Sequence, residues 1–300
     1  MKLFDLHVDT ALRLYLDGLP FDSPVLGVSA ADNAAFERLT RIYALFCPPS
    51  LTDDEAYRTF FPMRERLIEA LAPYRSPGFS LLLSVEDGRL LGGKRHRLPI
   101  LYRYGIRVLT LTWRGTTCVG GAYDTREGLT SFGRTILSDC FSLGIFPDLS
   151  HASEAVFSEV CEASLNRGLP LLATHSNSRS VCPHSRNLTD TQIISLIASG
   201  GLCGLSLCPW HLTETTTCTS ADLLRHLEHY LSLGGENSVA IGSDLDGIER
   251  TPADLTNTRD LLGLADAMAR SGYSEELIKR VFYKNAETFF GKYLIRQEEL

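Results

Sequence analysis

A histidine and an aspartate lie two residues apart near the start of the chain, in the motif DLHVD at residues 5–9. The apolar run around them predicts a short buried strand over residues 2–8, and side chains two residues apart on a strand point to the same face. His7 and Asp9 therefore offer an imidazole and a carboxylate on one face, which are ligands for a divalent metal ion. The alternative is a strand end whose polar residues meet solvent, so the missing ligands must come from elsewhere in the chain.

Four further apolar segments also end in histidine, aspartate or glutamate, each directly before a loop. The residues at these ends are Glu86, Asp148 with His151, His175, and Asp244. Together with the first pair, Glu86, His151 and His175 make five nitrogen and oxygen ligands, too many for one tetrahedral metal with an open position. They fit two metal ions if one carboxylate bridges them.

Such a pair of ions predicts hydrolytic chemistry. Two ions about 3.5–4 Å apart can share a water molecule, lower its pKa and polarise a substrate carbonyl. Imidazole and carboxylate ligands suit zinc best, while manganese, iron and cobalt also accept them. Asp244 is not needed as a ligand, so it is placed to take the proton from the bridging water and hand it to a leaving amine. Arg186, eleven residues after His175, predicts a bidentate grip on a substrate carboxylate, the alternative being a surface arginine.

The elements that must position these residues alternate between strand and helix. Strand patterns occur at residues 2–8, 40–46, 79–85, 106–111, 144–149, 169–174, 202–207 and 238–243. Helical patterns are clearest at residues 53–73, 133–143, 153–167, 189–199, 220–233 and 257–271. This alternation predicts a single parallel (β/α)8 barrel, in which working residues come from the carboxyl ends of strands. A doubly wound open sheet also alternates, but it would not draw ligands from its first, middle and last strands together.

Length and composition agree with one domain over residues 1–300. The hydrophobic fraction of 44% is ample for a core, and no linker, repeat or low-complexity segment marks a boundary. Residues 12–38 and 113–131 are long for barrel loops, and we expect them to shape the mouth of the site. No apolar run is long enough to cross a membrane, and the net charge of −7 argues against a nucleic-acid partner. The eight cysteines are expected to be reduced thiols because no export signal is visible.

The motifs taken together resemble the renal (membrane) dipeptidase family, the M19 metallopeptidases of the amidohydrolase superfamily. The resemblance runs almost from end to end and rests on DLHVD (5–9), SVEDG (84–88), VLTLTW (108–113), GLTSFG (128–133), DLSHAS (148–153), HSNSRSVC (175–182), SRNLTD (185–190) and GSDLDG (242–247). Any one of these motifs alone is weak, but the set, in this order and spacing, is highly specific.

The resemblance implies a zinc-dependent dipeptidase with two zinc ions per chain and a hydroxide that bridges them. It assigns His7 and Asp9 to the first zinc and His151 and His175 to the second. Glu86 would bridge the two ions, and Arg186 would bind the C-terminal carboxylate of the substrate. Asp244 would be the general acid and base, with Asp246 the weaker candidate of that pair. The implied substrates are dipeptides, with tolerance for a D-residue at the C-terminal position and a side activity on β-lactams.

One position departs from the family pattern. A histidine that contacts the substrate in the mammalian enzymes is replaced here by Trp113, which is followed by Arg114. Tryptophan donates one N–H but cannot carry a proton or a charge. Either the metals alone stabilise the oxyanion, or Arg114 takes part and favours an acidic substrate side chain, or the preferred substrate differs.

Location and assembly follow only from the resemblance. Secreted animal members carry an export signal and a lipid anchor, which are not visible here, so the expected setting is the cytoplasm, with no membrane partner. The chain is expected to end in a charged helix at residues 296–300. Members of the family commonly form homodimers, which no motif in this sequence decides.

Three rival functions use parts of the same pattern. A related amidohydrolase acting on N-acyl amino acids or β-lactams would use the same metals and the same Asp244. A metal-dependent nuclease is disfavoured by the acidic charge balance. A non-catalytic binding protein would be expected to have lost a ligand or the final aspartate, and all six positions are present. Among the other histidines, His211 is expected near the mouth, whereas His226 and His229 are expected on a polar helix face.

Overall fold

Eight parallel strands form a closed barrel in the computed structural model, which describes residues 1–33, 35–74, 76 and 78–294. The strands are β1 Lys2–Val8, β2 Arg38–Phe46, β3 Phe79–Glu86, β4 Ile106–Thr110, β5 Phe146–Asp148, β6 Leu172–Ala173, β7 Leu202–Leu205 and β8 Val239–Ile241. Each strand pairs with the next one along the chain, and β1 closes the barrel by pairing Asp5 with Ile241 of β8. The predicted (β/α)8 barrel is therefore confirmed.

Helices surround the barrel. The α-helices of the described residues are α1 Thr10–Leu16, α2 Ala30–Asn33, α3 Asp53–Leu71, α4 Arg97–Arg103, α5 Ser131–Leu143, α6 Glu154–Leu165, α7 Asp190–Ala198, α8 Pro209–Leu212, α9 Ser220–Ser232, α10 Leu261–Arg270, α11 Glu275–Lys279 and α12 Asn285–Leu294. Short 3₁₀ turns occur at Ala72–Tyr74, Gly88–Leu91 and Thr258–Asp260, and a π-helical turn at Arg280–Lys284 joins α11 to α12. None of the described helices is long and apolar enough to span a membrane.

The six predicted helices correspond to α3, α5, α6, α7, α9 and α10. Local signals explain their ends. The Thr52 side chain and Glu55 form a capping box at the start of α3, and Gly144 ends α5 in a left-handed conformation that costs glycine little. The remaining helices are mostly short and carry weak periodicity, so the pattern did not indicate them. The charged helix expected at residues 296–300 lies outside the described residues.

The core has two parts. A large apolar cluster lies between the strands and the surrounding helices. A second cluster fills the lower barrel interior and includes residues of β1, β2, β4, β6, β7 and β8, packed against α12. Phe4 of β1 stacks on Phe290 of α12 with ring centroids 5.3 Å apart. Because α12 covers the amino ends of the strands, a ligand reaches the barrel interior from the carboxyl ends of the strands.

Candidate metal centre

The first group of candidate ligands lies at the carboxyl ends of β1 and β3. His7, Asp9 and Glu86 each bring one ligand atom to within 4.8 Å of the others. Nε2 of His7 lies 3.4 Å from Oδ2 of Asp9 and 3.2 Å from Oε2 of Glu86. All three side chains are almost completely buried. The strand ends thus assemble the two residues of the DLHVD motif with the glutamate of the third strand.

The second group shares Glu86. Nε2 of His151 lies 3.0 Å from Oε1 of Glu86, and Nε2 of His175 lies 3.5 Å from the same oxygen. The two imidazole Nε2 atoms are 3.0 Å apart. Glu86 therefore turns one carboxylate oxygen towards each group, which is the arrangement required of a bridging ligand.

Two atoms of the first group test whether a metal ion fits this site. Nε2 of His7 and Oδ1 of Asp9 are buried and have no hydrogen-bond partner. A buried polar atom without a partner is costly and rare in folded proteins. A cation among the imidazole nitrogen and the carboxylate oxygens would satisfy these atoms together. The residues present therefore fit divalent metal ions of the kind that nitrogen and oxygen ligands prefer.

Charges within the first group shift its protonation equilibria. Burial disfavours the charged form of His7, but Glu86 and Asp9 outweigh that effect and raise the pKa of His7 well above its ordinary value. Burial likewise disfavours ionised Glu86, but the neighbouring histidines, His7 first among them, hold the pKa of Glu86 well below its usual range. The carboxylates of Glu86 and Asp9 therefore favour a positive charge at this position.

The histidines of the second group are neutral near pH 7. Burial, followed by the charge of Arg186, lowers the pKa of His151 to about 4. Burial, followed by His7 and Arg186, holds the pKa of His175 well below its ordinary value. Neutral imidazoles are the form that binds a metal ion, so no proton has to be removed from these two rings.

Asp244 lies beside both groups. One of its carboxylate oxygens is within 4.8 Å of ligand atoms of His7 and His175. Its Oδ2 accepts a hydrogen bond of 3.3 Å from Oγ of Ser206. Burial first, and then the carboxylates Asp9 and Glu86, raise the pKa of Asp244 well above its ordinary value. A carboxyl group with a raised pKa at this position is suited to accept and return a proton, and it is also within reach of metal ligation.

Backbone strain concentrates at the same end of the barrel. Among the described residues, the non-glycine residues with left-handed backbone are His151, Asp244 and Asp246, with φ of 67°, 64° and 68°. Such conformations persist where the surroundings enforce them, and they cluster at functional sites. The Asp246 carboxylate accepts hydrogen bonds from Oγ1 of Thr10 and the backbone N–H of Gly27. Asp246 therefore ties the first long loop to the site, whereas Asp244 faces the ligands.

Arg186 lies buried next to the second group. Its Nη1 donates to Oγ of Ser176 at 2.8 Å, and its Nη2 donates to the carbonyl of His175 at 2.7 Å. Its Nε–H is buried without a partner. No ion pair joins this guanidinium to a carboxylate within the part of the chain that the structure describes. The alternative of a surface arginine is wrong, because Arg186 is only 3% exposed.

The two residues that depart from the family pattern lie at different distances from the site. The ring of Trp113 packs edge-on against Phe46, and its centroid is 6.1 Å from that of His151. Trp113 therefore lines the mouth, as expected of the loop at residues 113–131. The side chain of Arg114 is 68% exposed, and its Nε lies 3.6 Å from Oδ2 of Asp124. The structure thus brings Trp113 close to the ligands and leaves Arg114 at the surface.

Two positions beside the candidate ligands carry only a faint signal in the sequence. A Cβ atom on Gly247 would lie 2.1 Å from Oδ2 of Asp9, so only glycine lets this ligand approach. Glycine after the SDLD segment is the visible hint. The Thr174 hydroxyl contacts the rings of His7 and His175, and its place directly before a ligand histidine is the only hint that the sequence offers.

One histidine differs from expectation. His226 is fully buried rather than on a polar helix face. Its Nδ1 accepts from the backbone N–H of Ser178 at 3.0 Å, and its Nε2 lies 3.0 Å from the carbonyl of Leu212. It therefore joins the loop at Ser178 to the end of α8, and helical periodicity could not reveal that these segments pack over that face. His229 is partly exposed, and its Nε2 lies 2.8 Å from Oδ1 of Asp190.

Comparison with known proteins adds an independent finding. Residues 56–292 match the model of the membrane dipeptidase family, peptidase family M19. Over 233 residues the chain is 27% identical to Dipeptidase 3 of Rattus norvegicus. That match covers 75% of this chain and 47% of the rat protein, so the chain spans about half the length of this relative.

Two solved structures cover the whole barrel. One is a dipeptidase, described as a metallopeptidase of family M19, with 27% identity, a TM-score of 0.86 and 98% of each chain covered. The other is a metallopeptidase from Rhodobacter sphaeroides bound to a phosphinate mimic of the dipeptide L-Ala-D-Ala. It has 25% identity and a TM-score of 0.87, and the match covers 98% of this chain and 99% of that one.

Proposed function

The chain belongs to the membrane dipeptidase family, peptidase family M19, whose named members are peptide-bond hydrolases, and on that premise we propose that it is a zinc-dependent dipeptidase. The proposed site holds two zinc ions between His7, Asp9, Glu86, His151 and His175. The proposed substrates are dipeptides, including those with a D-residue at the C-terminal position.

The buried guanidinium of Arg186 is the observation that carries this proposal. It is anchored to the carbonyl of His175, a candidate ligand, and has an unpartnered buried Nε–H. A buried charge without a counter-ion is costly, which a bound anion would remedy. In a dipeptide the terminal carboxylate is separated from the scissile carbonyl only by one N–Cα unit. An arginine fixed on a metal ligand therefore matches a substrate whose carboxylate lies directly beside the bond to be cleaved.

The chain's own groups supply the remaining chemistry. Bound divalent ions would activate a water molecule and polarise the scissile carbonyl. Asp244 takes the proton of the attacking water as the new C–O bond forms, and then gives it to the amide nitrogen as the C–N bond breaks. The Ser206 hydroxyl donates to Oδ2 of Asp244 and helps to orient the carboxylate for this role. A raised pKa makes the Asp244 carboxylate a stronger base towards the water, and its protonated form can still return the proton to the leaving amine.

Tolerance for a C-terminal D-residue rests on a relative. The Rhodobacter sphaeroides metallopeptidase carries a mimic of L-Ala-D-Ala, and the match to that structure covers 98% of this chain. Arg186 holds the carboxylate of either stereoisomer, so chirality is read by the space around the Cα atom. Trp113 lies beside His151, and we expect it to border that space. We therefore expect hydrolysis of both L-Ala-L-Ala and L-Ala-D-Ala.

A substrate panel tests the proposal. Zinc-loaded protein is assayed with L-Ala-L-Ala, L-Ala-D-Ala, the C-terminal amide of L-Ala-D-Ala, N-acetyl-D-alanine and a β-lactam. We expect release of alanine from the free dipeptides, with kcat/KM for the amide at least about 100-fold lower, because Arg186 loses its carboxylate partner. Asp244→Asn should lower kcat by about 10²–10⁴-fold while the zinc content is unchanged.

Asp246→Asn is the matched control, since it lies two residues further on in the same loop with the same left-handed backbone. Its kcat should stay within about tenfold of the parent, because its carboxylate contacts Thr10 and Gly27. Consumption of N-acetyl-D-alanine or the β-lactam without dipeptide cleavage would replace the proposed substrate with that of the related amidohydrolases. Full activity of Asp244→Asn would remove the proposed proton carrier.

A further inference from the structure

A threonine hydroxyl lies between one histidine of each ligand group. Oγ1 of Thr174 is 3.2 Å from Nδ1 of His7 and 2.8 Å from Nδ1 of His175. The same oxygen is 2.6 Å from Oδ2 of Asp148. All four residues are buried, with exposures of 0–1%. These contacts leave water no access to the hydroxyl, so its protein partners decide how its proton and lone pairs are used.

Asp148 determines where the hydroxyl proton goes. Its Oδ1 accepts the backbone N–H groups of Ser150 at 3.0 Å and of Thr174 at 2.8 Å. Its Oδ2 accepts the hydroxyl of Thr110 at 2.7 Å. An ionised carboxylate only accepts hydrogen bonds, so the Thr174 hydroxyl must donate its single proton to Oδ2. Asp148 thereby acts as a fixed acceptor behind the threonine.

These hydrogen bonds determine the tautomer of both histidines. A hydroxyl that has donated its proton can only accept further hydrogen bonds, and it has two lone pairs. Nδ1 of His7 and Nδ1 of His175 must therefore both carry hydrogen and donate to Thr174. The hydroxyl of Ser150 lies farther from Oγ1, at 3.4 Å, and competes weakly. Each neutral ring is left with its lone pair on Nε2.

Nε2 is the atom that faces the ligand groups. In His7 it lies 3.2 Å from Oε2 of Glu86, and in His175 it lies 3.5 Å from Oε1 of the same residue. Hydrogen bonds on the far ring nitrogen orient metal-binding histidines and increase their basicity. Usually each histidine has its own partner for this purpose. Here one oxygen atom serves two rings that belong to different groups.

We propose that Thr174 is the positioning residue for both metal positions, and that its single hydroxyl, held by Asp148, fixes the tautomer of His7 and of His175 together. This inference rests on the metal site of the proposed function. Removing the hydroxyl should therefore weaken metal binding at both positions. If each histidine had its own hydrogen-bond partner, removal of one partner would weaken binding at one position only.

Three variants test the role of the hydroxyl. Thr174→Val removes the hydroxyl and keeps the shape, and Thr174→Ser restores the hydroxyl on a smaller side chain. Thr110→Val is the matched control, because it removes the other hydroxyl that donates to Oδ2 of Asp148. Zinc affinity and stoichiometry of the metal-free proteins are measured by competition with a chromophoric chelator. We expect about 10–100-fold weaker binding of both ions in Thr174→Val, and changes within about threefold in the other two.

A tautomer measurement covers the case in which a variant does not fold. In the unsubstituted zinc-loaded protein with ¹⁵N-labelled histidine, long-range ¹H–¹⁵N spectra should show hydrogen on Nδ1 of both rings. Hydrogen on Nε2 of either ring would overturn the inference. So would equal weakening by Thr110→Val and Thr174→Val, or loss of only one ion in Thr174→Val. These readouts do not use dipeptide cleavage, so zinc binding of the expected pattern without turnover would reject the proposed function alone.

Discussion

The two ends of the barrel interior are built by the same strands but differ in chemistry. At the amino end the interior is apolar, and Phe4 stacks on Phe290 of α12. At the carboxyl end the interior is lined by charged and polar side chains, and Nε2 of His7 is buried without a hydrogen-bond partner. None of the described residues in the apolar cluster has a buried polar side-chain atom without a partner, whereas the polar end has several such atoms.

Two adjacent residues of β1 belong to the two different ends, one to the apolar core and one to the candidate ligands. Leu6 belongs to the apolar interior cluster, and His7 belongs to a ligand group. The pairing of β1 with β2 shifts register between Asp5 and Val8. Such an irregularity redirects side chains at strand ends near active sites. The amino end therefore stabilises the fold, and the carboxyl end uses that stability to hold polar groups in positions that are unfavourable without a ligand.

Removal of the shared ligand should give the largest effect. Glu86→Gln leaves a side chain of the same shape without the charge that both groups use. We expect the zinc content to fall from two ions to one or none, and kcat/KM for L-Ala-D-Ala to fall at least about 10³-fold, or about 4 kcal/mol. Elemental analysis and a progress curve measure both. A Glu86→Gln variant that keeps two zinc ions and full activity would show that this carboxylate does not bridge.

A core substitution at the amino end of the barrel should lower stability and leave zinc binding and turnover nearly unchanged. Phe290→Ala removes a ring that is 3% exposed and packs against Phe4, Phe146 and Phe289. We expect the free energy of unfolding to fall by about 3–5 kcal/mol, measured by urea denaturation. Zinc content and turnover per folded molecule should stay within about twofold. A large loss of activity in molecules that remain folded would contradict the separation of the two ends.

The smallest effect concerns a neutral histidine that supports the polar end. Burial lowers the pKa of His226 to about 4. The unfolded chain takes up a proton at this residue near pH 6.5 and the folded chain only near pH 4, so its contribution to stability is lost as the pH falls through that window. His226→Gln should destabilise the metal-free protein by about 2 kcal/mol at pH 7.5.

The difference in the free energy of unfolding between parent and variant should shrink towards zero by pH 4.5. Only the parent loses stability by keeping His226 neutral in the folded state while the unfolded chain takes up a proton. Urea denaturation of both proteins at several pH values measures it, and other titrating groups cancel in the comparison. A difference that stays constant from pH 7.5 to 4.5 would mean that His226 is not held neutral by the fold.

Much of the polar end could be predicted from the sequence, because each candidate ligand lies at or within a few residues of the end of an apolar strand. The order of strands and the closed barrel followed from the same alternation. The register shift in β1 could not be predicted, since alternation assumes a regular strand. Nor could the proposed role of Thr174, which depends on His7 of β1 and Asp148 of β5 meeting the neighbouring His175 at one oxygen. The burial of His226 depends on loops whose paths carry no periodic signal.

Titration of metal-free protein with zinc, followed by initial rates with L-Ala-D-Ala, tests the central claim most directly. The carboxyl end of the barrel is proposed to work as one centre with two ions that share Glu86. The rate should therefore be negligible without metal, rise with added zinc and reach its plateau at two equivalents per chain. Full activity in the absence of metal would contradict the account. So would a zinc-loaded protein that cleaves no dipeptide.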